Sequence, residues 1–149
     1  MNTEELSDRE ELRDLVQAYC QSIDRGDAEA VGELFVGDGV FVTSTGRNGT
    51  ATGRPAIVAR VELLISTFAA TSHHVTSTSF VFTGKDIVEL ESYLYAWHRF
   101  REQRPDGYLW ARYVDTAVRT TAGWRLQSRT LKVVGEVDFP FGWVPYRSE

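Results

Sequence analysis

Three histidines, His73, His74 and His98, are the side chains of this sequence best suited to moving a proton near neutral pH. A carboxylate partner would fix the tautomer of such a ring and raise its basicity, and Asp24 is a candidate for that partner. An Asp at the end of a helix is also, and more often, a solvated or capping residue. His73 and His74 are adjacent at the head of a predicted strand, where successive side chains point to opposite faces, so at most one of them looks into a given pocket. A bulge at the strand's start would exchange the two.

Around these lie groups that could donate a hydrogen bond or a proton. Tyr19 precedes Asp24 on the first predicted helix, Asp115 and Arg129 fall on the last two predicted strands, and each could be core or rim. A strand Arg is most often half exposed, and an interior Asp more often pairs with an Arg than performs catalysis. Tyr95, Trp97 and Tyr113 supply aromatic surface, and those that share a cavity with His98 would suit a planar or polycyclic ligand. No cofactor or metal is called for, because the histidines and carboxylates show none of the compact ligand spacings. Gly46, Gly49 and Gly53 lack the strand-loop-helix setting of a phosphate loop, and no signature of a catalytic serine or cysteine is present. Cys20 sits in an apolar helical pattern and reads as a buried thiol.

The elements that must position these groups follow from periodicity. Ser7 and Glu10 have the spacing of a capping box, and Leu12, Leu15, Val16, Tyr19 and Ile23 recur at helical spacing up to Asp24-Arg25-Gly26. A short helix is predicted from Ala28 to Phe35, a strand from Val40 to Ser44 and a hairpin at Arg47-Asn48-Gly49. A third helix opens at Gly53-Arg54-Pro55 and runs to Phe68, with Pro55 in the first turn where a missing amide costs nothing. His73 to Phe82, Ile87 to Arg101, Tyr108 to Thr120 and Trp124 to Val134 read as strands joined by three tight turns, an antiparallel meander. Helices leading into long adjacent strands define the α+β class. The C-terminal tail, residues 135 to 149, is unusually aromatic. Through Phe139 and its neighbours it must cover something apolar: the outside of the sheet, a neighbouring subunit or the mouth of a pocket.

With 149 residues, 42% of them hydrophobic and 25% charged, one domain spanning 1 to 149 is expected, large enough to bury a core without staples. The net charge of -5 argues against nucleic acid as a partner. The opening MNTEELSDREEL has neither the basic nor the apolar stretch of a signal peptide and no apolar run could span a bilayer, so a cytoplasmic location and no membrane contact are expected.

The order of A-Y-x-x-x-x-D-x-x-D at Ala18 to Asp27, G-R-P-A-I at Gly53 to Ile57, T-S-H-H at Thr71 to His74, and Tyr113-Val114-Asp115 through Trp124-Arg125 to Arg129 resembles the SnoaL-like branch of the nuclear-transport-factor-2-like (NTF2-like) superfamily. The resemblance covers about residues 8 to 134. It implies a cone-shaped α+β barrel, a curved sheet wrapped around helices and a deep pocket. Among such proteins, scytalone dehydratase, bile-acid 7α-dehydratase and hexachlorocyclohexane dehydrochlorinase are cofactor-free eliminating enzymes with a His-Asp dyad, which would here be His73 and Asp24. The same resemblance matches His98 to a second active-site histidine, Tyr19 to a tyrosine before the aspartate, and Arg129 to an arginine of the last strand. It implies a lyase, isomerase or cyclase acting on a small hydrophobic cyclic substrate, polyketide-like or steroid-like, in a homodimer or homotrimer. A non-catalytic assembly subunit, like the small β subunits of ring-hydroxylating dioxygenases, shares the same cone and is the alternative. A pocket filled by Tyr95 and Trp97 would favour it.

Overall fold

The computed structural model describes residues 1 to 148. Helix α1 (Thr3–Asp24) is capped by Asn2, whose side chain accepts from Glu5 N at 2.8 Å. The helix therefore starts a turn earlier than the capping box predicts. Asp8, inside that box, instead accepts from Arg119 Nη1 at 2.8 Å and from Trp124 Nε1 at 3.0 Å, tying α1 to the sheet. The predicted stripe of Leu12, Leu15, Val16, Tyr19 and Ile23 is buried. Gly26, at φ 73°, turns the chain where an L side chain would be strained, and Asp27 then caps α2 (Ala28–Glu33). Helix α2 ends before Phe35, which opens strand β1 (Phe35–Val42) instead, because Leu34 O accepts from Leu126 N and starts a parallel pairing with β6 (Gly123–Val137).

The hairpin to β2 (Thr50–Thr52) follows, closed by Thr43 N donating to Gly49 O. Helix α3 (Arg54–Thr67) carries Pro55 in its first turn and buries Ile57, Val58 and Val61. Strand β3 (Phe68–Gly84) begins five residues before His73, because the backbone turns extended at Phe68 and every residue from Ala70 to Val75 finds a partner on β4 (Ile87–Phe100). Strand β5 (Gly107–Thr120) and β6 complete the meander, and β7 (Val144–Pro145) lies parallel to β6. The sheet runs in the order β2-β1-β6-β5-β4-β3 and does not close: it is a curved mixed sheet wrapped on the helices, an α+β cone.

Alternation decides what faces inward. On β4 the buried series is Val88, Leu90, Ser92, Leu94, Ala96 and His98; on β5 it is Leu109, Ala111, Tyr113, Asp115 and Ala117. Leu12, Val31, Val88, Trp124 and Leu126 pack the end of the cone beside the first half of α1. The end beside Tyr19, Ile23 and Asp24 stays open as a cavity. No helix among the described residues is long and apolar enough to cross a membrane.

Candidate active site

The cavity measures about 490 Å³, within the range of small-molecule sites. Asp24, the last residue of α1, reaches across to β3, where alternation puts Thr71 and His73 on the inner face and His74 on the outer one. Its Oδ1 accepts from Thr71 Oγ1 at 2.8 Å and lies 2.6 Å from His73 Nδ1, while its Oδ2 accepts from His73 N at 2.9 Å. Partial burial pushes the Asp24 carboxyl upward, but the hydrogen bonds and charge of His73, with Thr71, outweigh it and hold the group below the usual carboxylate value. An ionised carboxylate only accepts, so Nδ1 carries a proton and donates it to Asp24. The His73 side chain is 8% exposed and that of Asp24 27%: the ring is largely sheltered and the carboxylate partly wet.

His98 stands 5.4 Å from His73, ring to ring, and packs between Phe68 at 4.8 Å and Phe139 at 4.7 Å. Burial, reinforced by His73, pushes its pKa down to about 3 against the weaker pull of Gly107 and Asp24, and its Nδ1 has no hydrogen-bond partner. It is therefore a neutral ring at pH 7. Tyr19 lies 6.5 Å from His73 and 5.3 Å from Tyr113, and both phenols line the cavity. Burial pushes Tyr19 up to about 12 despite the nearby Arg129 and lifts Tyr113 well above its usual value, so both remain protonated donors.

Several expectations are corrected by these positions. Arg129 is 0% exposed and does not line the cavity. Its Nε and Nη2 donate to Asp115 at 2.9 and 2.8 Å, and its guanidinium carbon lies 4.3 Å from the Tyr19 ring and 3.8 Å from that of Tyr113. It holds the two tyrosines from behind and cannot touch a ligand. Asp115, given to Arg129, is likewise below the cavity wall. Tyr95 and Trp97 are odd-numbered on β4 and project from the outer face, Tyr95 toward His74 and Trp110, Trp97 donating through Nε1 to Asp106. They do not fill the pocket. Phe139 does line it, inserted against Gly107, where an added Cβ would stand 2.5 Å from the Phe139 ring. Trp143 Nε1 donates to Phe139 O at 2.7 Å, so Phe139, Phe141 and Trp143 wall the cavity, while Tyr146 packs on the outer face of the sheet, donating to Glu91 Oε1 with its ring 5.1 Å from the Arg112 guanidinium carbon.

Sequence reasoning passed over Thr71 and Arg60. Thr71 shares the inner face of β3 with His73 by simple alternation. Arg60 interrupts the apolar stripe Ile57, Val61 and Leu64 of α3, which is the signal that it points inward. Its Nη1 donates to Thr43 Oγ1 at 2.9 Å, and both residues line the cavity. Among the described residues, no group of three His, Cys, Asp or Glu side chains could hold a metal ion.

An open α+β cone with a His-Asp pair on its inner wall defines the class. The profile of the SnoaL-like domain matches residues 4–130, and the chain belongs to that family. Among solved structures it is similar to a protein provisionally assigned as a scytalone dehydratase from Novosphingobium aromaticivorans, at 27% identity over 100% of both chains and a TM-score of 0.92. It shares its fold with a hexachlorocyclohexane dehydrochlorinase, at 16% identity over 95% of this chain and 96% of the other, TM-score 0.82. A provisionally assigned aromatic ring hydroxylase, also from N. aromaticivorans, has the same fold at 22% identity over 87% of this chain and 91% of the other, TM-score 0.81. No curated protein matches the chain.

Proposed function

We propose that the protein is a cofactor-independent lyase or isomerase, a dehydratase or cyclase in the wider sense, whose general base is His73. The observation that carries this reading is the 2.6 Å contact between His73 Nδ1 and Asp24, made on the wall of an open cavity. The Nε2 lone pair removes a proton from carbon beside an activating carbonyl. The positive charge gained by the ring is met by Asp24 and by the C-terminal end of α1, where a helix favours cations. Negative charge developing on the carbonyl oxygen, or on a departing hydroxyl, is met by the protonated phenols of Tyr19 and Tyr113 or by the neutral His98 ring. Elimination of that hydroxyl completes a dehydration; return of the proton to another carbon completes an isomerisation.

The aromatic walls of Phe41, Phe68, Phe139 and Trp143 suit a small hydrophobic cyclic substrate. An assembly subunit with a plugged cone is disfavoured, since Tyr95 and Trp97 lie outside. A homodimer or homotrimer would cover the exposed aromatic outer face of the sheet.

The test needs no knowledge of the natural substrate. In 5-nitrobenzisoxazole a base removes the ring C–H proton, the N–O bond breaks, and the coloured product is 2-cyano-4-nitrophenolate. His73→Ala is expected to lower the protein-catalysed rate by about 10²-fold or more, the ordinary contribution of a positioned base. Asp24→Asn is expected to lower it by a smaller factor, because an amide oxygen can still accept from Nδ1 but brings no charge to offset the imidazolium. A His73→Ala variant as fast as the unaltered protein would end this reading.

A further inference from the structure

The cavity's charge runs against that of the whole chain. The protein carries a net charge of -5, yet Arg25, Arg60 and Arg101 all line the cavity and, among the described residues, Asp24 is its one carboxylate. Asp24 is engaged by His73 and Thr71. None of the three arginines lies within ion-pair distance of a carboxylate among the described residues. Arg25 and Arg101 are exposed, and water screens them. Arg60 is half-buried, and its one side-chain partner is the neutral hydroxyl of Thr43. A guanidinium has five donors in a planar fork, so most of this group's capacity is unused. Removal from water without an anion is unfavourable for such a group, and an oxyanion from outside would satisfy it.

Position gives this a second meaning. Phe41 packs on Tyr19 at 6.0 Å, and Tyr19 packs on His73. Thr43 is the next inward residue after Phe41, just past the end of β1 and roughly 7 Å further along the chain. Arg60 thus marks a place in the cavity separated from the base by the Phe41 and Tyr19 rings, with apolar surface between the two polar ends.

We propose that Arg60 anchors an anionic group of the substrate, a carboxylate or equivalent oxyanion, while the reacting carbon lies at His73. The substrate class is then an apolar cyclic acid rather than a neutral ring compound. This rests on the assignment of the cavity as the reaction site. A bidentate anchor at one end fixes which carbon the base meets, which converts binding into orientation.

The test compares 2-naphthoate with 2-naphthamide, nearly equal in shape and different in charge, by titration calorimetry on the full chain near neutral pH. The acid is expected to bind about tenfold tighter than the amide, the scale of a charge-assisted hydrogen bond at a partly wet site. Arg60→Gln is expected to remove the preference and Arg60→Lys to keep part of it, with thermal melts confirming that both variants fold. Equal binding of the two probes by the unaltered protein, binding of neither, or a preference that persists in Arg60→Gln would each overturn the assignment. The comparison in unaltered protein stands even if a variant fails to fold. The base at His73 is judged separately by the ring-opening probe, which is neutral, so either idea can fail without the other.

Discussion

The His98 ring is 5% exposed, sits against Phe68, Phe139 and His73, and has Asp24 as the nearest carboxylate in the cavity. With its pKa lowered from 6.5 to about 3, the folded protein leaves it neutral while the unfolded chain binds a proton below pH 6.5. Its contribution to stability is complete above pH 6.5 and is lost as pH falls toward the folded value. Between pH 7 and pH 5 that loss is about 2 kcal/mol. Urea unfolding across this interval should show the decline, and His98→Leu should flatten it; an unchanged slope in the variant would show that His98 does not titrate as described. At this scale the sequence was partly legible. Alternation alone made His73 and His74 exclusive of one another, and the family resemblance chose His73 and Asp24. The same alternation separates His98 from Tyr95 and Trp97, which therefore cannot share its cavity. Arg129 was legible as a residue but not in depth, since strand position does not say whether an inward side chain reaches a cavity or stops beneath its wall.

Strands β5 and β6 are joined at their centre by the fully buried pair Asp115 and Arg129, directly opposite in register. Burial pushes the Asp115 carboxyl up against the pull of Arg129, yet two parallel hydrogen bonds keep the pair assembled. Asp115→Leu leaves a buried guanidinium without its counter-ion and is expected to cost about 3 to 5 kcal/mol. Adding Arg129→Met should recover part of that loss. Urea denaturation of the single and double variants measures the coupling, and strict additivity would contradict it. The strands themselves were readable because β-branched and aromatic runs end at clear turns. The start of β3 was not, because Phe68 continues the apolar spacing of α3 and only pairing with β4 ends the helix there. The start of α1 was displaced because Asn2 accepts from Glu5 N and caps the helix ahead of Ser7.

Seen whole, the molecule turns one sheet face to helices and cavity and exposes apolar side chains on the other, beside the place where Tyr146 packs on Glu91 and Arg112. Trp110 is 44% exposed and Val134 55%, with Tyr93 and Tyr95 alongside on β4. Exposed apolar patches of this kind mark association surfaces. Sedimentation velocity should find a dimer or trimer, and Trp110→Lys with Val134→Lys should shift it to monomer; a monomeric unaltered protein would refute the assembly. The tail adds a consequence in time. Thr45 donates through both N and Oγ1 to Gly142 O, 97 residues away, while Phe139 is seated against Gly107. Contacts between residues so distant in sequence form late, because the chain between them must be ordered first. During synthesis the meander can assemble as a bowl with its base already in place. The cavity gains its last wall only when the residues after Val137 have left the ribosome, so the nascent protein can hold the His73–Asp24 pair before it can enclose anything beside that pair.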